Sequence, residues 1–176
     1  MKRIIGAITL IIGVGAIAIG VNSQKVTKKI PPNSLHCQLI SGSIYDGDTF
    51  RVNCNGEQVK IRLCGIDAPE KKQPLGIKSR DTLRKMIRDD VYLTIVDSDR
   101  YGRKVAEVFV PTGRGEEEIF INAEMIRRGM AWHYERYSNN CPNWDVFDQM
   151  VTEAKEKRLG IHAKSDSVPP WEWRKR

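Results

Sequence analysis

From Cys37 onward the chain alternates apolar and polar residues in short runs broken by turn formers, the pattern of half-buried strands. Asn55-Gly56 is the strongest hairpin signal and sets a register. Cys54 faces Glu57, Val52 faces Val59 and Phe50 faces Ile61, so these apolar residues share one face; Arg51 with Lys60 and Thr49 with Arg62 share the other. Continuing the ladder sets Asp48 opposite Leu63 at the rim. Strict alternation points Asp48 and Arg62 to opposite faces, and a bulge or strong twist is needed to bring them together. Residues 91–97 and 104–110 read as two more strands joined by a polar turn. If 37–45 pairs with 48–56 around an Asp46-Gly47 turn, Cys37 falls beside Cys54, which makes that pair the disulfide candidate. Cys64 lies roughly 23 Å from Cys54 along the hairpin, too far for a bridge, so Cys64 and Cys141 are left as free buried thiols.

Three longer stretches change to the helical period. Leu75, Ser79, Leu83, Met86 and Ile87 form one stripe, with Pro74 near its start. "FINAEMIRRGMAW" predicts a helix with Asn122 as N-cap and Gly129 as its stop. A third helix carries Phe147, Met150, Val151 and Ala154 on its apolar side and ends at Gly160. Five strands with helices inserted and appended predict an α+β protein, a five-stranded OB-fold barrel with about three helices outside it. The barrel domain spans 36–162. Residues 24–35, basic with a Pro pair, read as a linker, and 163–176 as a tail. Trp171 and Trp173 in that tail are expected to pack back on the barrel, in preference to touching lipid headgroups.

The N-terminus changes the picture of where the domain works. Lys2 and Arg3 precede an uncharged apolar run from Ile4 to Val21, the layout of a signal peptide or of a membrane anchor. Both readings deliver the domain outside the cytoplasm, secreted or tethered. The 176 residues suffice for one domain with a real core, and the formal charge of +7 favours a polyanionic partner. With no C-x-x-C pair and three scattered histidines, at 36, 133 and 162, a zinc site is disfavoured.

Three short polar stretches at strand ends resist a structural explanation: "DGDTF", "IRLCGIDAPE" and "DRYGRKVAEV". Together, in this order and spacing, they resemble the staphylococcal nuclease (thermonuclease) family over roughly residues 36 to 162. The resemblance implies a Ca²⁺-dependent nuclease acting on DNA and RNA; single-stranded substrates and a monomeric state are the accompanying expectations. Asp48 and Asp67 match the family's calcium carboxylates, and Ala68 the position that lends a backbone carbonyl. Arg62, Glu70 and Arg103 match the catalytic trio, and Arg100 and Tyr101 match positions contacting a terminal phosphate. Many members carry Thr where this chain has Ala68, which removes a hydroxyl but keeps the carbonyl. Tyr134 and Tyr137 in "WHYERY" receive no role, Asp46 is assigned to the turn, and Asp99 to shaping its own turn.

The chemistry agrees with that resemblance. Hard oxygen ligands suit Ca²⁺, and two guanidinium forks suit the charge that builds on a phosphoryl group under attack. The rival reading is a non-catalytic OB module that binds nucleic acid at the cell surface. Such a module has no use for Asp48, Asp67 and Glu70, which repel phosphate unless a cation intervenes.

Overall fold

The computed structural model describes residues 25–113 and 117–176. The apolar run at 4–21, and with it the signal-or-anchor reading, lies outside the described residues. Among these, no helix is long and apolar enough to cross a membrane.

In chain order the elements are β1 (Thr27–Lys29), β2 (Leu35–Leu39), β3 (Thr49–Cys54), β4 (Glu57–Leu63), β5 (Ile66–Asp67), α1 (Gly76–Met86), β6 (Asp90–Ser98), β7 (Lys104–Val110), β8 (Glu117–Phe120), α2 (Ile121–Arg127), β9 (Trp132–His133), α3 (Phe147–Glu156) and the single turn α4 (Pro170–Trp173). Strands β4, β3, β2, β6 and β7 close into a barrel, because β7 pairs with both β6 and β4. This is the five-stranded OB barrel, an architecture that leaves few free sheet edges. The hairpin register is the one set by Asn55-Gly56: Cys54↔Glu57, Val52↔Val59, Phe50↔Ile61 and Thr49↔Arg62. Asn55 (φ 52°) and Gly56 (φ 91°) both take the positive φ that a two-residue turn of this kind demands.

Phe50, Val52, Ile61, Leu63, Val91, Leu93, Ala106 and Val108 fill the barrel, each at most 1% exposed. A stack of Phe109, Phe120 and Phe147, with ring centroids 5.0 and 5.9 Å apart, joins the barrel wall to α3. The parallel pairing of β4 with β7, Arg62↔Val105 and Leu63↔Ala106, aligns the ends of both strands at one rim of the barrel. That rim carries the site.

Four expectations need correction. Cys64 and Cys141 are not free thiols: they form a disulfide, with Cα atoms 5.9 Å apart, alongside the expected Cys37–Cys54 bridge. Register arithmetic along one hairpin says where Cys64 cannot bond; its partner arrives on a loop 77 residues later. Asn122 is not an N-cap, since α2 begins at Ile121. Its buried side chain accepts the Val108 N–H and donates to the Cys64 and Ala106 carbonyls, stitching three segments where a strand pairing ends. The segment read as a linker contains β1, which pairs with β8 and is flanked by Val26 and Ile30 against the core. Finally, Asp46-Gly47 is no tight turn: β2 and β3 pair as Gln38↔Asn53 and Leu39↔Val52, and residues 40–48 form a wider loop in which Ser43 bonds both N–H and C=O of Arg51.

Candidate active site

The loop before β3 is shaped by close packing. Gly47 lies so near α1 that a Cβ there would stand 1.9 Å from Ser79 Oγ and 2.7 Å from Ala68 Cβ. Ser79 is itself fixed by donating to the Met130 carbonyl at 2.7 Å. The glycine therefore presses the loop onto the helix and onto the segment after β5. Asp46 then accepts the Asp48 N–H at 3.1 Å, a local turn bond of the kind aspartate favours. Asp48, the residue just before β3, turns its carboxylate to the second acidic segment, where Oδ2 accepts the Ala68 N–H at 2.7 Å.

No residue is inserted in the β3–β4 ladder, and the Leu63 N–H still reaches the Asp48 carbonyl at 2.9 Å. Asp48 and Arg62 nevertheless meet, because the chain departs from strand geometry at Asp48. Arg62 Nη1 stands 2.9 Å from Asp48 Oδ2, and Nη2 stands 2.9 Å from Asp67 Oδ1. One guanidinium thus bridges carboxylates from two separate segments. All three side chains are buried or nearly so: Arg62 is 13% exposed, Asp48 9% and Asp67 2%. Asp67 is set in place by the short β5–β9 pairing, opposite Trp132.

Arg103 approaches from the start of β7. Its turn is built by Asp99, whose Oδ1 accepts the N–H groups of Tyr101 and Arg103 and whose Oδ2 takes Arg103 Nε at 2.6 Å. Arg103 Nη1 makes a long 3.5 Å contact to Thr49 Oγ1, and Thr49 donates to Asp48 Oδ1 at 3.0 Å. Arg103 and Asp48 therefore communicate through Thr49. Tyr101 is 71% exposed, and the guanidinium carbons of Arg100 and Arg103 lie 5.4 and 5.5 Å from its ring centre. Such spacing permits cation–π attraction and leaves the ring open to solvent.

Glu70 follows Pro69 and is held by a turn with Gln73, with bonds in both directions between the two residues. Its carboxylate meets Asp67 through Arg174 of the tail: Nη1 is 2.6 Å from Glu70 Oε1, and Nη2 is 2.6 Å from Asp67 Oδ2. Arg174 has no counterpart in the motif reading. Its only sequence signal is that it adjoins two tryptophans able to dock the tail. The tail does pack back, Trp171 lying on Tyr134 with centroids 4.9 Å apart and planes 7° from parallel.

The electrostatics follow from this crowding. Burial, and next the charge of Asp48, push the Asp46 carboxyl up to about 6. Burial also raises Asp67, against the opposing pull of Arg174 and Arg62. Asp99 runs the other way: burial would raise it, but the Arg103 backbone and guanidinium and the Tyr101 N–H hold it below the usual carboxylate range.

The donor set fits a hard cation. Asp48 and Asp67 reach a single positive group from two segments, and every side-chain ligand is oxygen. Among the described residues no three carboxylate, imidazole or thiol groups converge as a closed cage. Two carboxylates would leave most of a coordination shell to other oxygen donors.

An OB barrel with paired carboxylates and guanidiniums at one rim suits an enzyme that works on phosphodiesters. Residues 60–164 match the family described as Staphylococcal nuclease homologue. The chain is 38% identical over 134 residues to a protein named "Uncharacterized endonuclease" from Escherichia coli O157:H7, covering 76% of this chain and 82% of that protein. It is 36% identical over 136 residues to "Micrococcal nuclease" of Shigella flexneri, covering 75% and 77%. A 37% match over 122 residues joins it to "Staphylococcal-like nuclease CAN1" of Arabidopsis thaliana, covering 68% of this chain and 34% of that one. The chain belongs to the staphylococcal nuclease homologue family, and it is a nuclease, a hydrolase of phosphodiester bonds. The matched range takes in Arg62, Asp67, Ala68, Glu70, Arg100, Tyr101 and Arg103. Asp48 and Arg174 lie outside it.

Proposed function

We propose that this protein is a Ca²⁺-dependent nuclease that cleaves DNA and RNA outside the cytoplasm. The observation that carries the reading is the pair Asp48 and Asp67, both 2.9 Å from one guanidinium, hence able to share one cation. Asp48, Asp67 and the Ala68 carbonyl would hold the ion, which when bound polarises a phosphoryl oxygen and neutralises charge. Calcium suits an irregular, all-oxygen set completed by water.

The chain's own groups do the rest. Arg103 presents its planar fork to the equatorial phosphoryl oxygens as charge builds there, and Arg62, whose terminal nitrogens lie on Asp48 and Asp67, joins it when the cation takes over those carboxylates. Asp99 holds Arg103 by its Nε, leaving the terminal nitrogens to turn toward substrate. Glu70 takes the proton of the attacking water or orients that water. Exposed Tyr101 and Arg100 offer a stacking surface and a charge to the neighbouring nucleotide. Two disulfides support an oxidising location, secreted or tethered through residues 4–21.

Incubation with single-stranded DNA and with RNA at mildly alkaline pH tests the reading. Both substrates are expected to be degraded when Ca²⁺ is added and spared when a chelator is present. Intact substrate after long incubation with Ca²⁺ would sink it, and cutting that ignores chelator would remove the metal.

A further inference from the structure

Arg174 is delivered to the site by anchors that lie outside it. Pro170 is buried, the Val168 carbonyl accepts from Gln73 Nε2, and Trp171 stacks on Tyr134, which is itself tied to the Gly65 carbonyl at 2.8 Å. The Pro169 carbonyl accepts the N–H groups of Glu172 and Trp173, closing the one turn that aims the next residue inward. The guanidinium then reaches Asp67 Oδ2 at 2.6 Å, Asp67 Oδ1 at 3.3 Å and Glu70 Oε1 at 2.6 Å.

The consequence is one of occupancy. Asp67 is 2% exposed, and both of its oxygens carry guanidinium contacts: Oδ2 with Arg174, Oδ1 with Arg62 and Arg174. A buried carboxylate needs such a partner, since an uncompensated charge there is strongly destabilising. A divalent cation would approach the same oxygens. At Asp67 Oδ2, which Arg174 holds and Arg62 does not, the cation and Arg174 are therefore alternatives, and the +2 ion prevails only when its concentration repays loss of the charge-assisted bonds of Arg174. Glu70 is engaged by the same guanidinium, so its carboxylate is withheld from a proton while the tail is docked.

Resting on the metal reading above, we propose that Arg174 is the resident counter-ion of the metal site: it occupies Asp67 and Glu70 until a divalent cation displaces it, and the C-terminal tail thereby sets the metal concentration at which the nuclease becomes active. The tail is a competitive strap, held by Trp171 and released at Arg174.

Calorimetric titration of Ca²⁺ into the full-length protein without nucleic acid tests this, comparing the parent with Arg174→Ala and Trp171→Ala. Arg174→Ala is expected to bind Ca²⁺ about tenfold tighter or more, the worth of one charge-assisted bond. Trp171→Ala, which leaves the site's charges intact and loosens only the anchor, is expected to move affinity the same way by a smaller factor, and it carries the test if Arg174→Ala does not fold. Hydrogen exchange in residues 168–176 of the parent should rise when Ca²⁺ binds. Equal or weaker affinity in the variants, or tail exchange that ignores Ca²⁺, overturns the counter-ion assignment and leaves the metal site standing. If neither parent nor variants bind Ca²⁺, the metal reading falls and takes the strap with it.

Discussion

Arg62 and Arg103 differ in how they are held, and the difference bears on what each can do. Arg62 is 13% exposed and lodged between two carboxylates, whereas Arg103 is 23% exposed and held mainly through Nε by Asp99. The outer nitrogens of Arg103 are held less firmly, Nη1 making only a 3.5 Å contact with Thr49 Oγ1. Lysine keeps the charge but loses the planar fork, so Arg103→Lys is expected to lower kcat by 10² or more, about 3 kcal/mol of barrier, with folding unchanged. Glu70→Gln should do the same, because it keeps shape and removes the proton acceptor. Single-turnover rates beside a thermal melt check both, and parent-like rates would remove these residues from the mechanism. At this scale the motif residues were legible: "DGDT", "RLCGIDAPE" and "DRYGR" contain Asp48, Thr49, Arg62, Asp67, Ala68, Glu70 and Asp99 to Arg103, and all come to one rim. Arg174 was not, because no motif contains it and nothing local says where a tail will land.

Among the elements, α2 is the one whose environment departs furthest from its sequence pattern. A helix read as capped by Asn122 begins one residue earlier and is buried throughout, with Glu124 at 0% exposure. Glu124 binds Arg127 at 2.7 and 2.8 Å, Arg128 at 2.6 Å and the Val26 N–H at 3.2 Å, tying α2 to the segment entering β1. Burial alone would raise its pKa; the bonds to Arg127, Val26 and Arg128 outweigh burial and leave it below the usual value. The unfolded chain therefore takes up this proton first as pH falls. The stabilisation is fully present above the unfolded value near 4.5 and is lost as pH drops through the depressed folded value. Glu124→Gln is expected to cost about 3–5 kcal/mol at neutral pH, since it leaves buried guanidinium charge under-compensated. Urea melts from pH 7 to 3 should show the variant's stability falling less steeply than the parent's at the acid end. Parallel curves would refute the assignment.

For the whole molecule, the Cys64–Cys141 bridge joins the barrel to the loop ahead of α3. It closes 77 residues, and loop-closure entropy puts its contribution at about 4–5 kcal/mol; the 17-residue Cys37–Cys54 loop contributes about 3. The loop is also tied by Glu107, fully buried, whose oxygens accept the Asn143 backbone and side-chain N–H groups at 2.6 and 2.7 Å. Replacing both Cys64 and Cys141 with serine is expected to lower Tm by about 10 °C or more, and the 37/54 pair by less. Calorimetry under oxidising and reducing conditions checks the order; a reduced parent that melts as the oxidised one does would show both bridges dispensable.

What the sequence determined by itself is what depends on neighbours along the chain. Periodicity and Asn55-Gly56 set the β3–β4 register rung by rung, and the pleat then dictates which side chains enter the barrel. The Cys37–Cys54 bridge was legible only as a neighbour pair: the tight Asp46-Gly47 turn that suggested it is absent, and a wider loop brings the two strands to the register that joins them. Tertiary structure alone decided which partner Cys64 takes, that Asn122 stitches strands instead of capping a helix, and that Asp48 turns toward Arg62. It also decided that a guanidinium 107 residues away lies on Asp67. The reason is common to all of these: each is a contact between segments whose meeting is settled by how the closed barrel and its helices pack, and local propensity carries no information about that distance.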